Sequence, residues 1–517
     1  MITKVFKLVS DYWYMRKLFL QLPEKKSINK KIVFNTIKVD PTTFAYEVFM
    51  AAILSKEGAT TYNIIDDGTF EHIDQKQVFQ SDKELKNIKQ NNSIKNKISF
   101  FLLVSLSKFA FGRHINFIKT SEINFKSEED RTERKEFDLI VESSVRRFFK
   151  TPFNDRSNKT VNEYYKRCYS VCDKSQQIGM YIENVLNADK LITSHGIYST
   201  WGPCFNYIKH NTNINIQIYG QLGHKKKEML IADERLQILG GTMDLLRFIS
   251  KKLNKKQREV ILDYFDKRIS LKTEDAKIYY KEVNAEVSFE PVGKVYAAFP
   301  NVISEADIAE RHYMFDHIID WLLTTINVFK ENEENTLIIR CHPAEATMNS
   351  SKLSVENELY RLCPELDSIK NVVIIPSAKK INTYEMIKEK IDVGMIYEGV
   401  LGLELAMLEK PVILCGKGRL SGNGFGIEPL NIENYKTLLQ SPTGIIANWE
   451  KEKMKELAMS IGYWNFYESA YYIPTIADHY EPGFQFYKNR VYKEISIDEI
   501  NPEINPDFSK TVNKLLN

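Results

Sequence analysis

The residues with chemistry to offer fall at one kind of place along the chain. Asp66-Asp67-Gly68, Ser194-His195-Gly196, Pro300-Asn301, Cys341-His342-Pro343, Pro376-Ser377 and Tyr397-Glu398-Gly399 each follow a short apolar segment, and Gly416-Lys417-Gly418-Arg419 follows another. A carboxylate such as Asp66 or Asp67 can take the proton of an attacking hydroxyl. A histidine at a strand end, His342 or His195, can donate to a phosphate oxygen or hold a carboxylate. Lys417 and Arg419, in the glycine-studded GKGRLSGNG, can close on phosphates and neutralise a leaving group. Each also has a bland reading. Asp-Asp-Gly is a common turn, His195 and His342 can be hydrogen-bonded turn histidines, and Lys417 and Arg419 can be a solvated loop.

The stretch from Tyr397 to Gly418, YEGVLGLELAMLEKPVILCGKG, is the most informative. Gly399 and Gly402 allow a tight turn and close approach to a ligand. The helix that follows aims its free N–H groups outward, a natural seat for phosphate. Glu404 on its first turn can accept hydrogen bonds from the two vicinal hydroxyls of a ribose. Alternatively it only complements the positive end of the helix.

The elements that must position these residues alternate. Residues 32–38 predict a strand, Thr42 to Glu57 a helix closed by Gly58, and Thr61 to Ile65 a second strand, which together make a βαβ unit and imply a parallel sheet. A helix over 159–186, a strand over 188–193, a helix over about 201–211 and a strand over 214–219 repeat the theme. A second series has strands over 294–299, 336–340, 372–375, 393–396 and 411–414, with helices over about 310–329, 383–388 and 402–408. The fold class expected is α/β: two Rossmann-like domains facing a central cleft, with ligands beyond the carboxyl ends of the strands. The first domain is expected over 1–285 with an insertion at about 72–135, the second over 286–462, and a helical tail over 463–517.

The 517 residues exceed what one core holds. A hydrophobic fraction of 43% and a charged fraction of 27% fit an ordinary globular protein, and a net charge of +3 argues against a nucleic-acid partner. Six cysteines are spread along the chain, and Cys168 and Cys172 lack the second pair that a zinc site needs, so buried thiols are expected. No apolar run reaches the ~20 residues of a membrane span. The run Ile98 to Leu106 reads as a buried helix. The basic, aromatic start (Lys4, Lys7, Tyr12, Trp13, Tyr14, Arg16, Lys17) is either a peripheral membrane contact or a solvated helix. The location expected is cytoplasmic.

The segments TLIIRCHPAE, IIPSAKKINTYEMI and YEGVLGLELAMLEKPVILCGKGRLSGNGF, with YAAFPNVISEAD, DWLLTTI and TSHGIYSTWG upstream, resemble the capsule polysaccharide biosynthesis family, which includes Kdo-transferring enzymes. The resemblance covers roughly 185–430. It implies a GT-B glycosyltransferase that takes a sugar from a nucleotide donor, without a cofactor or metal, to a saccharide or lipid-linked saccharide acceptor. Carried over, His342 would hold the donor phosphate and Glu404 the ribose. Ser377 and the backbone at Gly399 would complete the donor site, with Asn301, Glu398 and Gly402 beside them. Asp66-Asp67-Gly68 also resembles the acidic motif that supplies the base in GT-B sialyltransferases. That points to a CMP-linked ulosonic acid as donor, although Tyr397-Glu398 departs from the small hydroxyl residues of the pattern. A nucleotide-sugar epimerase, a glycerol-phosphate transferase and a non-catalytic saccharide- or nucleotide-binding module remain as alternatives on the same fold.

Overall fold

A computed structural model describes residues 2–37, 41–70, 100–125, 134–149, 155–221, 227–235, 240–273, 289–303, 312–348, 354–474, 492 and 495–517. The chain forms two compact units. The first comprises residues 1–148, 155–236 and 469–517, and the second 149–154 and 237–468. Both are α/β and built on parallel strands, as expected.

In the first unit the strands are β1 (Lys31–Thr36), β2 (Thr60–Ile65), β3 (Phe117–Lys119), β4 (Lys190–Ser194), β5 (Asn215–Gln221) and β6 (Glu228–Ala232). In the second they are β7 (Val295–Phe299), β8 (Thr336–Arg340), β9 (Val372–Ile375), β10 (Val393–Ile396) and β11 (Val412–Leu414). β12 (Ala470–Tyr472) returns to the first unit. The sheet orders are β12-β6-β5-β4-β1-β2-β3 and β11-β10-β7-β8-β9. The five parallel strands of each unit therefore follow one order, β5-β4-β1-β2-β3 and β11-β10-β7-β8-β9, with the winding direction reversing beside the central first strand. Near-continuous apolar strands such as LIIR in β8 and VGMI in β10 are buried along their length, as a sheet covered on both faces requires.

The connecting helices follow the predicted periodicity. Pro41–Lys56 buries Phe44, Val48, Ala52 and their neighbours, and its chain turns at Gly58 with φ of 102°. Lys159–Asn184 is capped by Asn158, whose side chain accepts from the amides of Thr160 and Val161. Ile318–Glu331 is capped by His317 and buries Trp321, Leu322 and Ile326; the helix predicted from about 310 starts later, since 312–317 are bends and irregular chain leading to the His317 cap and 310–311 lie outside the described residues.

The division differs from the predicted boundaries near 285 and 463. Helix Lys255–Ile269 packs on helix Lys451–Tyr463 within the second unit, and a Cβ on Gly462 would lie 2.9 Å from Phe265. Beyond Ser469 the chain joins the first unit. β12 pairs antiparallel with β6, Phe508 and Val512 enter its core, and the Lys514 carbonyl accepts from Lys190 Nζ at 3.2 Å and Gln217 Nε2 at 2.8 Å. Of the predicted insertion, 71–99 and 126–133 lie outside the described residues. Its apolar run is a helix over 100–111 that buries Leu103, Leu106 and Phe111. All six cysteines are free and buried. Among the described residues no helix is long and apolar enough to cross a membrane.

Candidate functional site

In the second unit the candidate residues gather at the carboxyl ends of β7, β8, β9 and β10. His342 follows β8 in a turn that starts a short helix, Ala344–Met348. Its Nδ1 accepts from the Ala344 amide at 3.1 Å. That assigns the proton of the neutral ring to Nε2. Burial, with Arg340 close by, pushes its pKa down to about 4, so the ring is neutral near pH 7.

Two residues with no role predicted from the sequence, Glu345 and Arg340, hold this turn and the loop beside it. Glu345 is buried, and its carboxylate accepts from the amides of Ile303 at 2.9 Å and Val355 at 3.2 Å, while its own amide donates to the His342 carbonyl at 3.0 Å. One side chain thus ties the chain after β7, two residues beyond Asn301, to the His342 turn and to helix Val355–Leu362. Burial raises its pKa to about 7 against the lowering effect of those two amides. Arg340 does the same for the loop carrying Ser377, donating to the carbonyls of Pro376 at 2.5 Å and Lys379 at 3.1 Å. The signals were present, a carboxylate three residues past His342 and an arginine ending an apolar strand, but neither type is diagnostic by itself.

Glu404 makes its contacts within the protein. It is buried on helix Leu401–Met407, ion-paired with Arg268 and accepting from the Tyr384 hydroxyl at 2.7 Å. Both oxygens are engaged by side chains of the protein. Gly402 likewise serves packing, since a Cβ there would lie 2.6 Å from Ile396 and 2.7 Å from Leu420. Gly399 has φ of 137° and open space where a Cβ would stand. Tyr397 is core, its hydroxyl 2.5 Å from His312 Nδ1 and its ring 5.5 Å from Trp321.

Glu398 faces Arg419 at 3.9 Å. Gly418 fits over it, because a Cβ there would stand 2.3 Å from Glu398 Cγ. Lys417 is exposed, with Nζ 5.8 Å from the Tyr313 ring. The loop is stiffened by positive φ at Gly422, Gly424 and Gly426, by the Ser421 hydroxyl bridging Gly418, and by Gly422 N–H donating to Glu428 at 2.8 Å. It also rests on Gly240, whose amide donates to the Gly418 carbonyl and where a Cβ would lie 2.1 Å from the Ser421 carbonyl. The Gly240-Gly241 doublet is the local sequence signal of this close approach.

In the first unit Asp66 and Asp67 divide their work. Asp66 is buried, and its Oδ1 accepts from the amides of Gly68, Thr69 and Phe70 at 2.9–3.0 Å, which makes the turn. Asp67 is half-buried. Its Oδ1 accepts from the Thr120 hydroxyl and the Ser121 amide, each at 3.1 Å, and its Oδ2 from the Ser121 hydroxyl. Burial works to raise its pKa, but the Ser121 and Thr120 hydrogen bonds outweigh that and hold it below the usual carboxylate range. It is an ionised, oriented carboxylate. Thr120 and Ser121 follow β3, more than 50 positions away in the chain, so no local pattern could reveal them.

His195 is exposed after β4, with Nδ1 against the Ser194 hydroxyl and its ring 6.0 Å from that of Trp201. It has φ of 54°, followed by 63° at Gly196 and 34° at Tyr198. Two non-glycine residues in the left-handed region within four positions mark a backbone that the surrounding fold holds in place. Gly196 is fixed by contact, since a Cβ would lie 2.7 Å from Ile218.

No protein-family model matches the chain, and no curated protein does. Among solved structures, the chain is similar to the Thermosulfurimonas dismutans KpsC beta Kdo 2,4 transferase at 13% identity, over 56% of this chain and 82% of that one, with a TM-score of 0.36. It is also similar to UDP-GlcNAc 2-epimerase from Neisseria meningitidis at 12% identity, over 86% and 99% of the chains, with a TM-score of 0.26. A third is the spinosyn rhamnosyltransferase SpnG, at 7% identity over 84% and 96%, with a TM-score of 0.25. Likenesses of this degree carry no argument about activity, which rests on the residues above.

Proposed function

We propose that the chain is a glycosyltransferase that moves a sugar from a nucleotide donor to a surface or capsular saccharide acceptor, free or lipid-linked. A CMP-linked ulosonic acid, Kdo or a sialic-acid relative, is the donor class. The observation that carries this reading is His342: a neutral imidazole at the end of β8, fixed by the Ala344 amide donating to its Nδ1, which in this reading turns Nε2–H to a phosphate oxygen of the donor.

In this reading Ser377, Asn301 and the backbone at Gly399 line the donor seat, and Lys417 and Arg419 balance the charge of the departing nucleotide. Glu404, already held by Arg268 and Tyr384, positions helix Leu401–Met407 rather than touching ribose. In the first unit Asp67 takes the proton of the acceptor hydroxyl, Asp66 shapes its turn, and His195 holds the acceptor. The acceptor oxygen bonds to the anomeric carbon as the carbon–phosphate-oxygen bond breaks. The electron pair leaves with the nucleotide, the proton goes to Asp67, and the configuration inverts. A carboxylate held below its usual pKa is a weak base, which suits a proton that leaves late, after the new bond has begun to form.

The test is thermal-shift titration with CMP, CDP, UDP and GDP in EDTA. A ligand at 100 times its Kd stabilises by about 2.7 kcal/mol. A CMP-selective shift that His342→Ala removes supports the reading. A UDP- or GDP-selective shift replaces the donor class. No shift with any nucleotide overturns the enzyme reading.

A further inference from the structure

Helix Ile2–Gln21 carries two apolar faces. Leu8, Tyr12, Met15 and Phe19 recur at helical spacing and enter the core of the first unit, as does Leu22 just past the helix. Phe6, Val9, Trp13 and Leu20 recur at three-, four- and seven-residue spacing on the other side, and are 70%, 39%, 50% and 62% exposed. One stripe is enough to pack a helix; a second, left in water over about four turns, calls for something to cover it. The stripe continues onto the neighbouring helix. The Arg16 guanidinium lies 4.9 Å over the ring of Phe109 and donates to its carbonyl. Helix 100–111 exposes Phe109 at 43% and Phe101 at 74%.

The exposed charges on the two helices are basic, and Glu24, just past the first helix, is paired with Arg113. Lys17 Nζ lies 3.7 Å over the Trp13 ring, Lys7 and Lys108 are exposed, and Asp11, the acidic residue of the first helix, is buried. We propose that this face of the first unit docks on a bilayer containing anionic lipids, with Phe6, Trp13, Leu20 and Phe101 among the upper acyl chains and the lysines at the headgroups. Aromatic rings interleaved with long cationic side chains suit that boundary, where the rings meet the acyl chains and the ammonium groups reach the phosphates. A second copy of the chain fits poorly, because it would bring like charges together. Tyr12 and Tyr14 stand apart from this surface: Tyr12 is core, and the Tyr14 hydroxyl donates to the Ile495 carbonyl. The proposal goes beyond the transferase reading and stands without it.

The experiment is co-sedimentation of the full chain with vesicles of phosphatidylcholine, alone or with about a third phosphatidylglycerol. Selective pelleting with the anionic vesicles is expected. Phe6→Ser/Trp13→Ser/Phe101→Ser should weaken it about tenfold or more at an unchanged Tm, and Lys17→Glu/Lys108→Glu should weaken it as high salt does. A readout on the unmodified protein needs no variant. Of the five tryptophans, Trp201, Trp321, Trp449 and Trp464 are buried, so quenching by brominated lipid should fall on Trp13. Failure of the wild type to pellet with anionic vesicles, absence of quenching, or equal pelleting by the triple variant overturns the proposal. So does a dimer that the triple variant dissociates while no vesicle binds, which assigns the face to a second copy.

Discussion

The guanidinium of Arg268 is ion-paired with the buried carboxylate of Glu404, and the hydroxyl of Tyr384 donates to the other oxygen of that carboxylate. Three helices of the second unit, Lys255–Ile269, Thr383–Lys390 and Leu401–Met407, are joined there by one acidic side chain. Removing one partner leaves a charge buried without its counterpart, which costs about 3 kcal/mol or more. Arg268→Met and Glu404→Gln should each lower the urea midpoint of the second unit accordingly. The double variant should recover much of that loss. If Glu404 instead serves a ligand, Glu404→Gln will weaken nucleotide binding while barely moving stability.

Asp66 and Asp67 should separate by experiment. Asp66→Ala orphans three backbone amides and should destabilise the first unit by about 2 kcal/mol. Asp67→Asn keeps the turn, and should lower turnover about 10²–10⁴-fold with little change in nucleotide affinity. Because Thr120 and Ser121 hold the Asp67 pKa down, the acidic limb of kcat/KM should move to higher pH in Thr120→Val. An unmoved limb detaches Asp67 from the chemistry.

His342 and Glu345 contribute to stability with opposite pH dependence. The His342 pKa is lower in the folded chain than unfolded, so its contribution is full above about pH 6.5 and is lost as pH falls toward 4. The Glu345 pKa is raised, so its contribution is full below about pH 4.5 and is lost as pH rises through 7. In Glu345→Gln the decline of Tm from pH 5 to 8 should flatten, and in His342→Ala the decline from pH 6.5 to 4 should flatten. Parallel Tm–pH curves for the wild type and both variants would contradict this.

Adjacent glycines should respond differently to one methyl group. Gly240→Ala drives a Cβ into the Ser421 and Gly418 carbonyls and should cost about 2 kcal/mol or more, whereas Gly241→Ala meets open space and should stay within about 0.5 kcal/mol. Thermal melts of the two proteins give the comparison directly. Equal losses would mean that the 418–423 loop yields.

The sequence by itself determined nine of the twelve described strands, all but β3, β6 and β12, several of the helices that connect them, and which residues stand at those strand ends. The pleat and the helical turn write their periods into a continuous stretch, so β8 in TLIIR, β10 in VGMI and the helix after Pro41 are legible where they occur. The positions of His342, Ser377, Asn301 and Asp67 follow from that alone. Tertiary structure decided what each of these side chains touches. Glu404 reads as a first-turn carboxylate open to a ribose until Arg268, 136 positions earlier, is brought against it. Asp67 reads as one half of a turn until the end of β3 supplies its donors. The last residues read as a separate tail until β12 pairs with β6. These partners are set by the order of strands in a sheet, which depends on how distant apolar faces are buried together, and no local spacing encodes it.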